Sequence, residues 1–313
     1  MFLEKAYAKL YGGYRSLDLG HSSIALGDLT GAPTEYIDLD DLGQAWGTLE
    51  RNLNKGYVVT GSSMVSAGEM DEKCNIAAKH CYGVLDAVEI SWKGREIRYI
   101  LLKNPVGGNG EYNGKSLPTE LKVMLESKSQ IYNDVGNNVG LFWVSLGDLK
   151  KNFEVLTSAK INSNYCHSSL EIKNADKKVT QFLFRATGVK GTQGHVSVFR
   201  KNMRFFTKDH VDIMKTKYGV SRIVVFQTKE NEKIEIMGYG FNSKQTATTE
   251  ITVDNEEFFV YVEMDYNISQ NVDLTISTYS QKPINLEFMK EKSNHIRNDV
   301  SKSFLTALLT SYA

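Results

Sequence analysis

Two polar residues set the chemistry this chain can attempt. Residues 79–90 read KHCYGVLDAVEI and residues 98–107 read RYILLKNPVG. Each is a short apolar run rich in β-formers, with His80 at the head of the first and Asn104 just past the end of the second. As neighbouring strands they would let the Asn104 side-chain oxygen accept from the imidazole, fix its tautomer and aim the other ring nitrogen at a thiol. A base held in that way serves nucleophilic acyl transfer, which needs a cysteine from the opposite wall of a cleft. The chain has three cysteines, Cys74, Cys81 and Cys166. Cys81 follows His80 directly, so on a strand its thiol points to the other face. Cys74 lies in the approach to the same strand and would have to fold back, and Cys166 falls far downstream. None is an evident nucleophile. His80 and Asn104 read equally well as a polar pair that satisfies a buried hydrogen bond.

The elements that must position this pair follow from periodicity. Phe2, Leu3, Ala6, Tyr7 and Leu10 share one helical face, and Gly12-Gly13 stops that helix. Residues 15–38, rich in Gly, Ser and Thr, read as an ordered loop. Asp40 or Asp41 caps a helix over Leu42–Leu53 that ends near Gly56. Strands are expected at Tyr57–Thr60, Cys81–Ile90, Ile97–Lys103 and Leu141–Ser145, with a short helix from Asp148 to Phe153 in which Asp148 serves as the N-cap. From about residue 165 the texture changes to alternating runs such as VTQFLFRAT, RIVVFQTK and FFVYVEM, the pattern of an antiparallel β-sandwich. Residues 290–313 read as a helix whose stripe of Ile296, Val300, Phe304, Leu308 and Leu309 must dock somewhere.

Bulk properties narrow the class of partner. The 313 residues balance 37 Lys and Arg against 37 Asp and Glu, so no global field draws the protein to nucleic acid or anionic lipid. The N-terminus is charged and amphipathic rather than signal-like, and no apolar run approaches the ~20 residues of a membrane span. Three cysteines form no disulfide framework, which makes a reducing cytoplasmic setting the default.

Six ordered blocks carry a family likeness: LEKAYAKLYGGY at 3–14, ALGDLTGAPTEYIDL at 25–39, KHCYGVLDAVEI at 79–90, LLKNP at 101–105, GEYNG at 110–114 and GLFWVSLGDLKKNFE at 140–154. Together they resemble the second half of the calpain protease core, and the β region around EFFVYVEM resembles the C2-like sandwich that follows it. The resemblance implies an α+β chain with three parts. Residues 1–160 would be the His/Asn half of a papain-like core, 161–289 a C2-like sandwich and 290–313 a helical tail. His80 matches the catalytic histidine of calpains and Asn104 its orienter. The catalytic cysteine of calpains lies ahead of the LEKAYAK helix, and a start at Met1 is expected to leave that half out. Calpains place a Trp after the Asn-Pro pair to shield the hydrogen bond, where this chain has Val106. Their calcium ligands are also depleted. Glu111 remains as a lone remnant, the aspartate that follows reads about Pro118, and an Asp-Gly-Glu-Phe-Trp stretch reads Val139-Gly140-Leu141-Phe142-Trp143. Val and Leu offer calcium no oxygen.

Other charged groups remain open. Arg200, Lys201, Arg204 and Lys208 interleave with Phe199, Phe205 and Phe206 as a basic patch or a solvated face, and Asp254, Glu256, Glu257, Asp209 and Asp212 could hold calcium at C2-type loops. Gly107-Gly108-Asn109-Gly110 fits no phosphate-binding pattern. The leading expectation is a pseudoenzyme without cofactor or metal: a structural component that binds protein partners in a larger complex. By family analogy its setting is the cytoplasm, at the cytoskeleton or cilium. Neither nucleic acid nor peripheral lipid is expected as a partner. The alternatives are half or a fragment of an active calpain-type cysteine endopeptidase, and a calcium- or lipid-binding C2-type module.

Overall fold

The computed structural model describes residues 2–17, 20–64, 76–107, 117–135, 140–173, 181–201, 219–228, 234–242, 245–265 and 273–290. In chain order the first half holds α1 (Phe2–Leu10), a 3-10 turn (Tyr14–Leu17), α2 (Ser22–Thr30), β1 (Thr34–Asp38), α3 (Leu42–Asn54), β2 (Val58–Ser63), β3 (Cys81–Trp92), β4 (Arg95–Lys103), α4 (Thr119–Lys128), α5 (Gln130–Val135), β5 (Leu141–Ser145), α6 (Leu146–Asn152) and β6 (Phe153–Ala159). Nine strands follow: β7 (Cys166–Ile172), β8 (Gln181–Thr187), β9 (Gln193–Arg200), β10 (Ser221–Thr228), β11 (Ile234–Asn242), β12 (Thr246–Thr252), β13 (Glu257–Met264), β14 (Leu274–Ser280) and β15 (Asn285–Phe288). The chain is a mixed α+β protein built on antiparallel sheets. Two compact units emerge, residues 21–162 and residues 1–20 with 163–313.

In the unit 21–162 a six-stranded antiparallel sheet runs β1-β6-β2-β3-β4-β5. One face carries Val59, Tyr82, Val84, Ile100, Leu102 and Val144 against Trp46 and Leu49 of α3 and Leu149 of α6. The other buries Val88, Ile90, Leu101 and Trp143 under Leu121 and Leu125 of α4. Helix α3 starts where Asp41 accepts from the Gly43 and Gln44 backbone N–H groups at 2.9 and 3.1 Å. At α6 the cap is Ser145, one turn earlier than expected. Its hydroxyl accepts from the Asp148 N–H at 3.1 Å and donates to the Asp148 carboxylate at 2.8 Å. Asp148 is therefore the third helical residue, whose charge still favours the helix N-terminus.

The expected loop over 15–38 instead holds the 3-10 turn, α2 and β1. The segment SSIALGDLT has weak helix formers and no apolar stripe, so its helix depends on tertiary anchors. Ser23 bonds the Tyr36 hydroxyl at 2.6 Å, and Thr60 donates to Ser22 at 2.9 Å. Strand β6 shows no alternation because it is buried on both faces between β1 and β2.

The C-terminal unit faces a five-stranded sheet (β11-β10-β13-β8-β15) against a four-stranded one (β12-β9-β14-β7). Phe182, Phe184, Ile223, Val225, Phe258, Val260 and Val262 from the first interlock with Val196, Val198, Ile251, Leu274 and Ile276 from the second. The expected sandwich is present, with one strand, β15, beyond those read from alternation. The helix expected over 290–313 lies outside the described residues.

Candidate active site

The site is assembled at the open end of the β3–β4 hairpin. Its closed end is a two-residue turn in which Lys93 (φ 49°) and Gly94 (φ 76°) both take left-handed conformations, the geometry that matches strand twist. From Trp92↔Arg95 the register runs evenly to Asp86↔Leu101, then slips so that Val84 faces Leu102 and Gly83 faces Lys103. Leu85 is thus an extra residue, a β-bulge. Its effect on the site is one of parity. Extended past the strand ends without the slip, the register would set Asn104 opposite Gly83, on the face of Cys81. With the slip, Asn104 falls opposite Tyr82, on the face of His80.

The two side chains meet there, His80 Nε2 lying 3.0 Å from Asn104 Oδ1. The same oxygen accepts from the Val106 N–H at 3.1 Å. A backbone N–H can only donate, so the amide atom between them is the oxygen, and Nε2 must carry the proton. The lone pair is left on Nδ1, which has no hydrogen-bond partner among the described residues. The backbone supports both groups. His80 N–H donates to Ser63 Oγ at 2.8 Å, His80 C=O accepts from Ser63 N–H at 2.9 Å, and the Ser63 hydroxyl donates to Ala77 C=O at 2.6 Å. Asn104 N–H donates to Gly140 C=O at 2.9 Å. Lys79, just before His80, holds φ 53°, a costly conformation for a side chain with a Cβ. The imidazole meets the Tyr82 ring edge to face at 4.9 Å, and Tyr82 meets Phe142 and Phe153 in turn.

The thiols do not join this arrangement among the described residues. Cys81 lies on the opposite face of β3, where Thr60 and Ser22 are its hydrogen-bonding neighbours. Burial, opposed in part by those bonds, raises its thiol above the usual range. A reactive thiol needs the reverse shift. Cys166 opens β7 in the other compact unit, and Cys74 lies outside the described residues. Val106 is 79% exposed, and the His80–Asn104 bond is part-buried.

The remaining candidates separate in the same way. Phe142 and Trp143 are packing residues of β5, and Leu141 stands beside them where an acidic ligand was sought. Glu111, Arg204, Lys208, Asp209 and Asp212 lie outside the described residues. Among the described ones no three His, Cys, Asp or Glu side chains gather as a metal site. Arg200 is no part of a surface patch. It is buried and donates to Ser221 Oγ at 2.8 Å, Asp265 C=O at 2.6 Å and Val220 C=O at 2.9 Å. Glu257 is engaged by Arg185. Ser63 is the residue that sequence reasoning missed, since its role depends on a contact 17 positions away.

A profile of the calpain family of cysteine proteases matches residues 1–160. Calpain clp-4 of Caenorhabditis elegans is 32% identical over 158 residues, 48% of this chain and 22% of that protein. Calpain-14 of Homo sapiens is 32% identical over 164 residues, 51% and 23% respectively. Calpain-8 of Mus musculus is 30% identical over 222 residues, 67% and 30%. The chain thus spans less than a third of the length of these relatives. No helix among the described residues is long and apolar enough to cross a membrane.

Proposed function

The chain belongs to the calpain family of cysteine proteases, and from that premise we propose that it is a non-catalytic member acting as a structural, protein-binding component of a larger assembly. On this reading the sheet unit is the His/Asn half of a papain-like core and the sandwich is its C2-like companion. A cytoskeletal or ciliary setting follows from family analogy alone. The observation that carries the proposal is the disposition of Cys81. Its thiol is held protonated by burial on the face opposite His80, while the imidazole keeps its orienter. Loss of the shielding indole at Val106 and of the acidic ligand at Leu141 supports the same reading. Treatment of the whole chain with a peptidyl thiol-alkylating protease inhibitor tests it. The expected result is no labelling above that of a His80→Ala control, with co-purification of protein partners. Labelling that vanishes with His80→Ala overturns it.

One observation favours a second reading. The 3.0 Å His80–Asn104 bond leaves Nδ1 poised toward a thiol that another segment or chain would bring, as in half of a calpain-type endopeptidase. Peptide hydrolysis appearing only when a cysteine-bearing calpain half is added, and lost with His80→Ala, would select this reading over the first.

A further inference from the structure

The apolar stripe of α1 faces solvent. At about 100° per residue, Phe2, Leu3, Ala6 and Leu10 share one arc of about 100°. All four are exposed, Phe2 at 88%, Leu3 at 64% and Leu10 at 57%. The helix buries a different side. Ala8, about 120° beyond the nearer edge of that arc, is 2% exposed, and its carbonyl accepts from the Gly13 N–H at 2.7 Å where the helix ends. Tyr11 is also buried and meets the half-buried Tyr7 ring edge to face at 5.1 Å. A surface helix ordinarily turns its apolar stripe inward, and one that turns it outward offers a contact surface.

We infer that α1 is the pairing helix of a weak homodimer, laid antiparallel against α1 of a second copy about a two-fold axis between Ala6 and Tyr7. The stripe reads nearly alike in both directions. Leu3 and Leu10 stand equally far from that axis, so each would meet the opposite leucine of the other copy, while the small Ala6 beside the axis lets the backbones approach. A surface that docks on its own copy needs this palindrome, and a surface for a different partner does not. Charge selects the direction. Glu4 lies in the first turn and Lys9 in the last. Antiparallel pairing sets the acidic end of each helix level with the basic end of the other and opposes the two dipoles, whereas parallel pairing would align Lys5 and Lys9 with their own copies. Area sets the strength. The four side chains expose roughly 400 Å² per copy, so the pair would bury about 800 Å², below the size of a permanent interface and within that of a reversible one. The pairing goes beyond the proposed function and does not depend on the state of any thiol.

Sedimentation velocity of the whole chain over about 5–500 µM tests it, the expected result being a shift toward twice the monomer mass as concentration rises. Leu3→Glu and Leu10→Lys change exposed positions, so each should weaken the pair about tenfold or more and leave the melting temperature of the dilute protein unchanged. Mixing the two variants in equal amounts should restore pairing, because the antiparallel arrangement sets the substituted positions against each other. A chain that stays monomeric throughout overturns the proposal, as does a dimer that Leu3→Glu leaves intact or a mixture that does not recover. A monomer whose Leu3→Glu variant loses binding to a cysteine-bearing calpain half also overturns it, and gives the face to that partner.

Discussion

At the scale of single residues, one amide decides the state of the imidazole. Asn104 Oδ1 takes two donors, so replacing it frees His80 to populate either tautomer. We expect Asn104→Ala to move the His80 ring nitrogens in a 15N NMR spectrum from the pattern of a single Nε2–H tautomer to an averaged one. Stability should fall by about 0.5–1.5 kcal/mol. Ser63→Ala is the harsher change. It removes the partner of the His80 N–H and of the Ala77 C=O, two part-buried bonds, at about 1–3 kcal/mol in urea denaturation. Cys81 should alkylate more slowly than free cysteine at pH 8, with the rate rising only above the usual thiol range; a faster rate at neutral pH would contradict its buried, protonated state. The pairing of His80 with Asn104 was legible because residue type and strand-end position sufficed. Ser63 was not, because nothing local links it to residue 80. Asp148 was misplaced for a related reason: a serine and an aspartate three apart can each cap, and only the hydroxyl's bond to the Asp148 N–H decides between them.

At the scale of elements, the β-bulge at Leu85 is the device that brings the pair to one face. Deleting Leu85 should close the bulge and still leave Val84 opposite Leu102 and Asn104 opposite Tyr82, so the deletion variant should keep the single Nε2–H signal of His80 that Asn104→Ala loses. A second close fit closes one edge of the sandwich. A Cβ on Gly240 would lie 2.2 Å from Thr248 C=O. Gly240→Ala should therefore cost about 2–4 kcal/mol in denaturant unfolding. Gly47→Ala in α3, where a Cβ meets nothing within 4 Å, should be neutral or stabilising. Longer strands with one solvated face were read within a few residues, whereas the short β1 and β15 were missed, since four or five residues carry too little alternation. Those buried on both faces, like β6, and helices held by hydroxyl contacts, like α2, carry no periodic signal.

At the scale of the whole molecule, the two units have separate cores and separate spectroscopic reporters. All three tryptophans, Trp46, Trp92 and Trp143, lie in 21–162. Phe184→Ala in the sandwich core should then lower the transition seen by far-UV circular dichroism and leave the tryptophan-fluorescence transition in place. A single shifted transition by both probes would mean that the units unfold together. Alkaline pH should weaken the fold. Burial raises Cys81, Tyr36 and Tyr99, and Tyr132 is pushed up to about 12 by burial and by its bond to the Glu126 carboxylate. The unfolded chain loses these protons first, so their contribution is complete below the ordinary thiol and phenol values and fades as pH climbs through the folded ones. Absorbance at 295 nm should show a class of tyrosines that ionise late. The general architecture was readable from alternation and turns; the grouping of residues 1–20 with the sandwich was not, because chain order says nothing of it. The sandwich also brings its border strands together in pairs, β11 against β12 and β7 against β15. A peptide approaching that rim as an added strand meets a neighbouring strand of the facing sheet, which leaves β1 and β5, the outermost strands of the other unit, as the less crowded edges for strand addition.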